Sequence, residues 1–194
     1  MSLEIPSEII QLNKIFFLVH PGFLRDADTF MFSVENDLRL GREMSLKYLE
    51  QIKGLGDDEC VLLFTHKQKG EFREDLKFDD EYATFIRKLK QKLGDRLVVF
   101  TETLRPQKWK RFPEKLRAIL KARGYEFSPQ VQTFAFGEYM DACVPQYAQA
   151  ANKAMQLAGK TGVLVEKSAY YPGENPDELI RKIRNKYSQI DFLR

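Results

Sequence analysis

The sequence predicts a three-layer α/β fold: a doubly wound, mostly parallel sheet of five or six strands with helices on both faces. Three observations predict it. Short runs rich in β-branched and aromatic residues, each bounded by turn or charged residues, alternate with stretches of helical spacing, strand then helix, five times over. Each crossover in such a chain must return over the sheet and bury an apolar face, which covers the sheet on both sides. A closed parallel barrel would need eight strands, and the sequence offers five or six.

The strands read in order as KIFFLVH (Lys14–His20), CVLLFTH (Cys60–His66), RLVVFTE (Arg96–Glu102), VQTFAFG (Val131–Gly137) and TGVLVEK (Thr161–Lys167). Between them, Leu46, Leu49 and Ile52 mark one helical face. Phe85, Ile86, Leu89 and Leu93 mark a second, and Leu116, Ile119 and Leu120 a third. Tyr147, Ala151, Ala154 and Met155 mark a fourth, and Pro176 to Tyr187 carries Leu179, Ile180 and Ile183 on a last one. Residues 22 to 40 fit no element and are expected to form a long loop at the active site. GLGDDE, from Gly54, precedes a strand and so reads as a turn, not as a dinucleotide site. No P-loop and no G-x-S-x-G elbow occurs.

A length of 194 residues, with no Pro/Gly/Ser-rich linker and no repeat, predicts one domain over 1–194. The net charge of +3, with 30% charged and 43% hydrophobic residues, is ordinary for a soluble protein and demands neither nucleic acid nor membrane. Cys60 and Cys143 are far apart and in no C-x-x-C spacing, so a disulfide framework is not expected and a reducing, cytoplasmic setting is. The first residues lack the basic-then-apolar pattern of a secretory signal, and no apolar run approaches the roughly 20 residues of a membrane span.

In open α/β sheets ligands bind beyond the carboxyl ends of the strands. Those stations are His20-Pro21-Gly22, Thr65-His66, Thr101-Glu102-Thr103, Gly137 through Glu138 and Asp141 to Cys143, and Glu166-Lys167-Ser168. Both histidines of the chain, one of its two cysteines and several carboxylates therefore fall on one edge. Strand ends are where any buried strand turns polar, so each histidine taken alone also reads as a solvated or capped residue. Cys143 stands near a helix start, because Pro145 is tolerated only in a first turn, and Asp141 is the expected N-cap. A thiol there is biased towards thiolate by the helix dipole and first-turn amides, which could also hold an oxyanion. The competing reading is a small apolar side chain beneath a helix.

The pattern G-x-x-x-D-x-C-V, met by Gly137, Asp141, Cys143 and Val144, resembles the nucleophile motif of the isochorismatase-like cysteine hydrolases, which include nicotinamidases. Leu116, Leu120 and Gly124 resemble the family's L-x-x-x-L-x-x-x-G helix, GDRLVVF the strand before it, and LLFTH its second strand. The resemblance covers most of residues 14 to 170. It implies Cys143 as nucleophile towards the carbonyl of a small amide. The family carries an aspartate base at the end of its first strand, where this chain has His20; an imidazole is a competent partner for a thiolate, and Glu102 is expected to orient it from the neighbouring strand. The family lysine near the end of the third strand falls at about Phe100 when counted from Asp95, and at Arg105 or Lys108 when counted back from Leu116. His20 and His66, ending neighbouring strands, could share a zinc ion with a carboxylate or with Cys143. The departures equally fit a relative without catalysis that binds a small anionic metabolite or a protein partner, and the chain could form a homo-oligomer.

Arg105 to Arg123 carries eight basic residues and one acidic one, with Trp109 and Phe112 interleaved. Such a mixture can bind nucleic acid. The favoured reading is a helix that packs Leu116, Ile119 and Leu120 and keeps its Lys and Arg in water.

Overall fold

The computed structural model describes residues 8–21, 34–66, 77–102, 112–140, 142–169 and 174–194. Six strands form one sheet: β1 (Ile10–Val19), β2 (Glu59–His66), β3 (Leu97–Glu102), β4 (Tyr125–Gly137), β5 (Thr161–Leu164) and β6 (Ile190–Leu193). Their order is β3-β2-β1-β4-β5-β6, and every neighbouring pair is parallel. This is the doubly wound arrangement, with the direction of winding reversing between β1 and β4.

Among the described residues five α-helices cover the sheet: α1 (Val34–Lys53), α2 (Lys77–Leu93), α3 (Phe112–Ala122), α4 (Cys143–Met155) and α5 (Pro176–Ile183). Met44, Tyr48 and Ile52 of α1 and Phe85, Leu89 and Leu93 of α2 join Phe16, Leu18, Val61, Leu63 and Phe136 in one core. Leu116 and Leu120 of α3, Val144, Tyr147 and Ala151 of α4, and Leu179 and Ile180 of α5 join Ile15, Phe17, Val19, Leu62 and Phe64 in the other. Successive strand residues alternate between the two cores because side chains leave a strand on opposite faces. Both faces of β1 and β2 are thus apolar, as strands at the centre of a parallel sheet must be.

Local chemistry explains the elements. Asn175 caps α5 by accepting from the Asp177 amide at 2.9 Å, Pro176 occupies the first turn, and Arg181 and Lys182 sit in the last. In β4, Leu12 pairs with Phe127 and Lys14 with Gln132, so β4 bulges around Pro129, the residue least able to donate to a ladder. Asn152, buried in α4, donates to Thr161 Oγ1 at 3.1 Å and to the Gly159 carbonyl at 2.8 Å; Thr161 Oγ1 in turn stands 2.8 Å from Thr133 Oγ1. That fully enclosed polar chain locks α4 to β4 and β5.

Several expectations are corrected. Residues 34–40, expected in a loop over 22 to 40, lie in α1, and 22–33 lie outside the described residues. Leu46 is 68% exposed; α1 buries Met44 and Tyr48 along with the expected Ile52, and the expected Leu49 packs half-buried beside them. Spacing of i, i+4, i+8 through a methionine and a tyrosine outweighs the leucines. The fifth strand stops at Leu164, and Val165–Lys167 is a 3-10 turn. The basic α3 behaves as the solvated face: Leu116 and Leu120 are buried, Lys115 and Lys121 are exposed, and Arg117 lies over the Phe127 ring at 5.3 Å. No helix among the described residues is long and apolar enough to cross a membrane.

Candidate active site

The winding reverses between β1 and β4, and in folds wound this way ligands bind outside the carboxyl ends of the strands at that point. The last register pair of these strands is Val19 with Gly137, and beyond it the Glu138 amide donates to the Val19 carbonyl at 3.1 Å. Gly137 has φ +146°, and a Cβ there would stand 2.1 Å from the Val19 carbonyl oxygen. Only glycine permits that approach.

His20 follows at once. Strand alternation would send residue 20 to the α1 side with Phe16 and Leu18. Its backbone is left-handed, with φ +48°, its amide donates to the Phe64 carbonyl at 2.9 Å, and its ring packs edge-on to Tyr147 of α4, 4.5 Å between centroids. The histidine is 2% exposed. A left-handed non-glycine residue is uncommon and persists only where the surroundings hold it.

The turn from β4 to α4 is equally constrained. Glu138 is fully buried and Tyr139 is left-handed, with φ +64°. The Tyr139 carbonyl accepts from the Ala142 and Val144 amides, both at 3.1 Å. Met140 donates to the Ala169 carbonyl and Ala169 to that of Gly137, each at 2.8 Å, which ties the turn to the segment after β5. α4 begins at Cys143, and its N-cap is Ala142, with no side-chain capping bond. Asp141, expected as the cap, lies outside the described residues. The cap moves because the Tyr139 carbonyl already takes amides that a side chain would otherwise satisfy. Pro145 falls in the first turn as expected, where its missing N–H removes no helical bond.

Cys143 is half-buried and packs against both cores. Tyr147 lies four residues on, so it shares the Cys143 face of α4 one turn of about 5.4 Å along the axis. The His20 ring, resting on Tyr147, is therefore held on the face that carries the thiol. Cys60 contrasts in every respect. It lies near the amino end of β2, is wholly enclosed, and burial pushes its thiol up to about 12.

Glu102 does end β3 on this edge, paired in register with His66. The strand order, however, puts β2 between β3 and β1, so Glu102 does not come from the strand beside His20. Two interstrand spacings of about 4.8 Å separate their backbones. His66 ends β2, which does neighbour β1; the side chains of His66 and Glu102 lie outside the described set. Arg105 and Lys108 also lie outside the described residues. No group of three His, Cys, Asp or Glu close enough to hold a metal ion occurs among the described residues.

Sequence reading passed over Tyr48. It is fully buried in α1, its ring 5.7 Å from that of Phe136, and burial followed by the negative charge of Glu138 holds its phenol well above the usual tyrosine value. The i, i+4 spacing from Met44 was the signal that could have found it.

No family model matches the chain, and no curated protein does. Among solved structures the chain is similar to a pyrazinamidase of Pyrococcus horikoshii in complex with zinc, at 12% identity over 94% of this chain and 99% of that one, with a TM-score of 0.47. It is similar to a nicotinamidase from Staphylococcus aureus, at 16% identity over 93% and 99%, with a TM-score of 0.43. A glucose-6-phosphate dehydrogenase in complex with its substrate matches at 10% identity over 97% of this chain and 37% of that one, with a TM-score of 0.41. Likenesses of this size assign neither family nor activity; the chain itself shows a six-stranded parallel sheet among its described residues.

Proposed function

We propose that the chain is a divergent isochorismatase-like protein, one domain over 1–194, that hydrolyses the C–N bond of a small amide through Cys143. The observation that carries this reading is the convergence at the β1–β4 reversal: a half-buried thiol at the first position of α4, and a histidine ring turned by a left-handed backbone onto the same helix. The G-x-x-x-D-x-C-V pattern supports it from the sequence side.

In this reading His20 takes the thiol proton, and the Cys143 thiolate adds to the amide carbonyl. The C–N bond breaks as the imidazolium returns the proton to the leaving nitrogen. Water, deprotonated by His20, then cleaves the thioester, releasing the acid and restoring the thiol. Arg105 or Lys108 would neutralise the developing oxyanion. Glu102, two strands away, would act on His20 only across β2, which leaves it a weak candidate for orienting the ring.

Mass spectrometry of protein quenched while it turns over a panel of small amides tests the proposal. An acyl adduct on Cys143, lost in Cys143→Ala and formed more slowly in His20→Ala, is expected. Amide hydrolysis retained by Cys143→Ala, or no adduct and no hydrolysis across the panel, overturns it.

One observation favours the second reading, a protein that binds a small anionic metabolite or a protein partner at this edge without catalysis. The Ala142 and Val144 amides, which flank the thiol, already donate to the Tyr139 carbonyl, and residue 145 is a proline. Fewer backbone donors are left for an oxyanion than a helix start ordinarily offers.

A further inference from the structure

We infer that Tyr147 is a positioning residue for His20, a role that rests on reading His20 as the acceptor of the Cys143 proton: the phenol ring fixes the plane of the imidazole, and its place in α4 ties that plane to the helix face that carries the thiol.

An imidazole presents its two nitrogens only in its own plane, so rotation about the Cβ–Cγ bond decides where they point. That torsion is broad and roughly two-fold, and sets no direction by itself. Packing has to set it. The His20 ring is buried and meets the Tyr147 ring at 4.5 Å between centroids, the two planes 76° apart. A T-shaped contact of this kind is one of the arrangements that aromatic rings prefer, and it fixes one plane relative to the other.

Tyr147 is held in turn. Its ring is buried and lies 5.6 Å from that of Phe64 in β2, tilted by 58°. Phe64 stacks on Phe100 of β3 at 5.8 Å and meets the Phe17 ring of β1 at 6.2 Å. The Phe64 carbonyl also takes the His20 amide at 2.9 Å, so one residue fixes the histidine's backbone and backs the ring that fixes its side chain. A functional group keeps a definite geometry when its neighbours are themselves locked by packing. Cys143 stands four residues before Tyr147 on the same face of α4, so the thiol and the support of the imidazole belong to one rigid helix. The contact needs the flat ring and not its hydroxyl. Phenylalanine should therefore serve in its place; leucine fills part of the volume but favours no single imidazole plane.

The chain has two histidines, so the imidazole region of a 1H–13C spectrum holds two ring systems, and His20→Ala identifies one of them. In the wild-type protein the His20 ring protons should show a nuclear Overhauser effect to the Tyr147 ring and resonances displaced from those of an exposed histidine. Tyr147→Phe should keep the displacement, and Tyr147→Leu should lose it. Iodoacetamide labelling of Cys143 near pH 7 reads the consequence without any substrate. Tyr147→Leu should slow it at least about threefold, and Tyr147→Phe should stay within about twofold of the wild type. Tyr147→Leu added to His20→Ala should change nothing further, which a general loss of packing would not reproduce. A wild-type His20 ring with no effect to Tyr147, a displacement that survives Tyr147→Leu, no slowing in that variant, or additive losses in the double variant would overturn the role; the wild-type spectrum needs no variant to fold. Labelling that His20→Ala leaves unchanged removes His20 as the acceptor and the role of Tyr147 with it, whereas failure of amide hydrolysis alone leaves both standing.

Discussion

Replacing Gly137 by alanine would put a methyl group where β1 and β4 come closest, and the structure fixes the cost. The new Cβ would stand 2.1 Å from the Val19 carbonyl oxygen and 2.8 Å from the Val19 nitrogen, both backbone atoms that cannot swing aside. Relief to an ordinary contact near 3.2 Å requires the strand ends to part by about 1 Å. That separation breaks the 3.1 Å bond from the Glu138 amide to Val19, worth about 1 kcal/mol net. The backbone at φ +146° adds about 1 to 3 kcal/mol for any residue with a Cβ, and residual overpacking adds about 1 to 3 kcal/mol more. The expected destabilisation is about 4 kcal/mol, which for a chain of this length lowers Tm by roughly 8–16 °C. Gly94→Ala is the internal control. Gly94 also has positive φ, +54°, but a Cβ there meets nothing within 4 Å, so only the backbone cost of about 1 kcal/mol should appear. Urea unfolding with unchanged m gives both numbers. Equal losses at the two glycines, or less than about 1 kcal/mol at Gly137, would refute the close approach on which the geometry of the site depends.

Iodoacetamide near pH 7 should label half-buried Cys143 and leave Cys60, with its thiol at about 12 and no exposure, unmodified until the protein is denatured; tryptic mass spectrometry at timed quenches reads both. Asn152→Leu should cost about 2 to 3 kcal/mol in a thermal or urea melt, since it strands the Gly159 carbonyl and the Thr133–Thr161 pair, and Asn152→Asp should cost more. At the opposite edge, Glu59 accepts from Lys14 at 2.6 Å and raises the lysine's pKa above its ordinary 10.5. A raised lysine stabilises the fold fully below the unfolded value and loses that contribution as pH climbs through the folded one, so the pair's contribution should fade only above about pH 10.5; Glu59→Gln should flatten that alkaline loss in melts taken from pH 9 upwards.

The strand cores were legible because each is a short apolar run with charged or turn residues at its ends, and the parallel order follows from the helices between them. What escaped lies where pattern is weakest. β6, four residues long, buries only Ile190, with Phe192 packed half-buried beside the core, and carries too little periodicity to stand out. The amino-terminal halves of β1 and β4 escaped because Gln11, Asn13, Ser128 and Pro129 interrupt them; pairing across a bulge makes these segments strands, and no local signal announces it. The carboxyl edge itself was legible, since His20, Glu102 and Gly137 each end a strand there. Which strand stands beside which was not. Strand order is a tertiary fact, and it separates Glu102 from His20 while bringing Glu138 to the end of the strand next to it.

Backbone handedness then decides which face each of those groups serves. His20 and Glu138 end adjacent strands, and the Glu138 amide reaches across to Val19, the residue before His20. Had β1 simply continued, both side chains would have pointed to the α1 side, because Leu18 and Phe136 do. The left-handed turn at His20 lets its ring pack on Tyr147 of α4 instead, while the charge of Glu138 acts on Tyr48 of α1. Cys143, at the start of α4, touches both cores. The backbone at residue 20 thus decides which helix the His20 ring meets, and the close approach of β1 and β4 that Gly137 allows sets where that backbone turns.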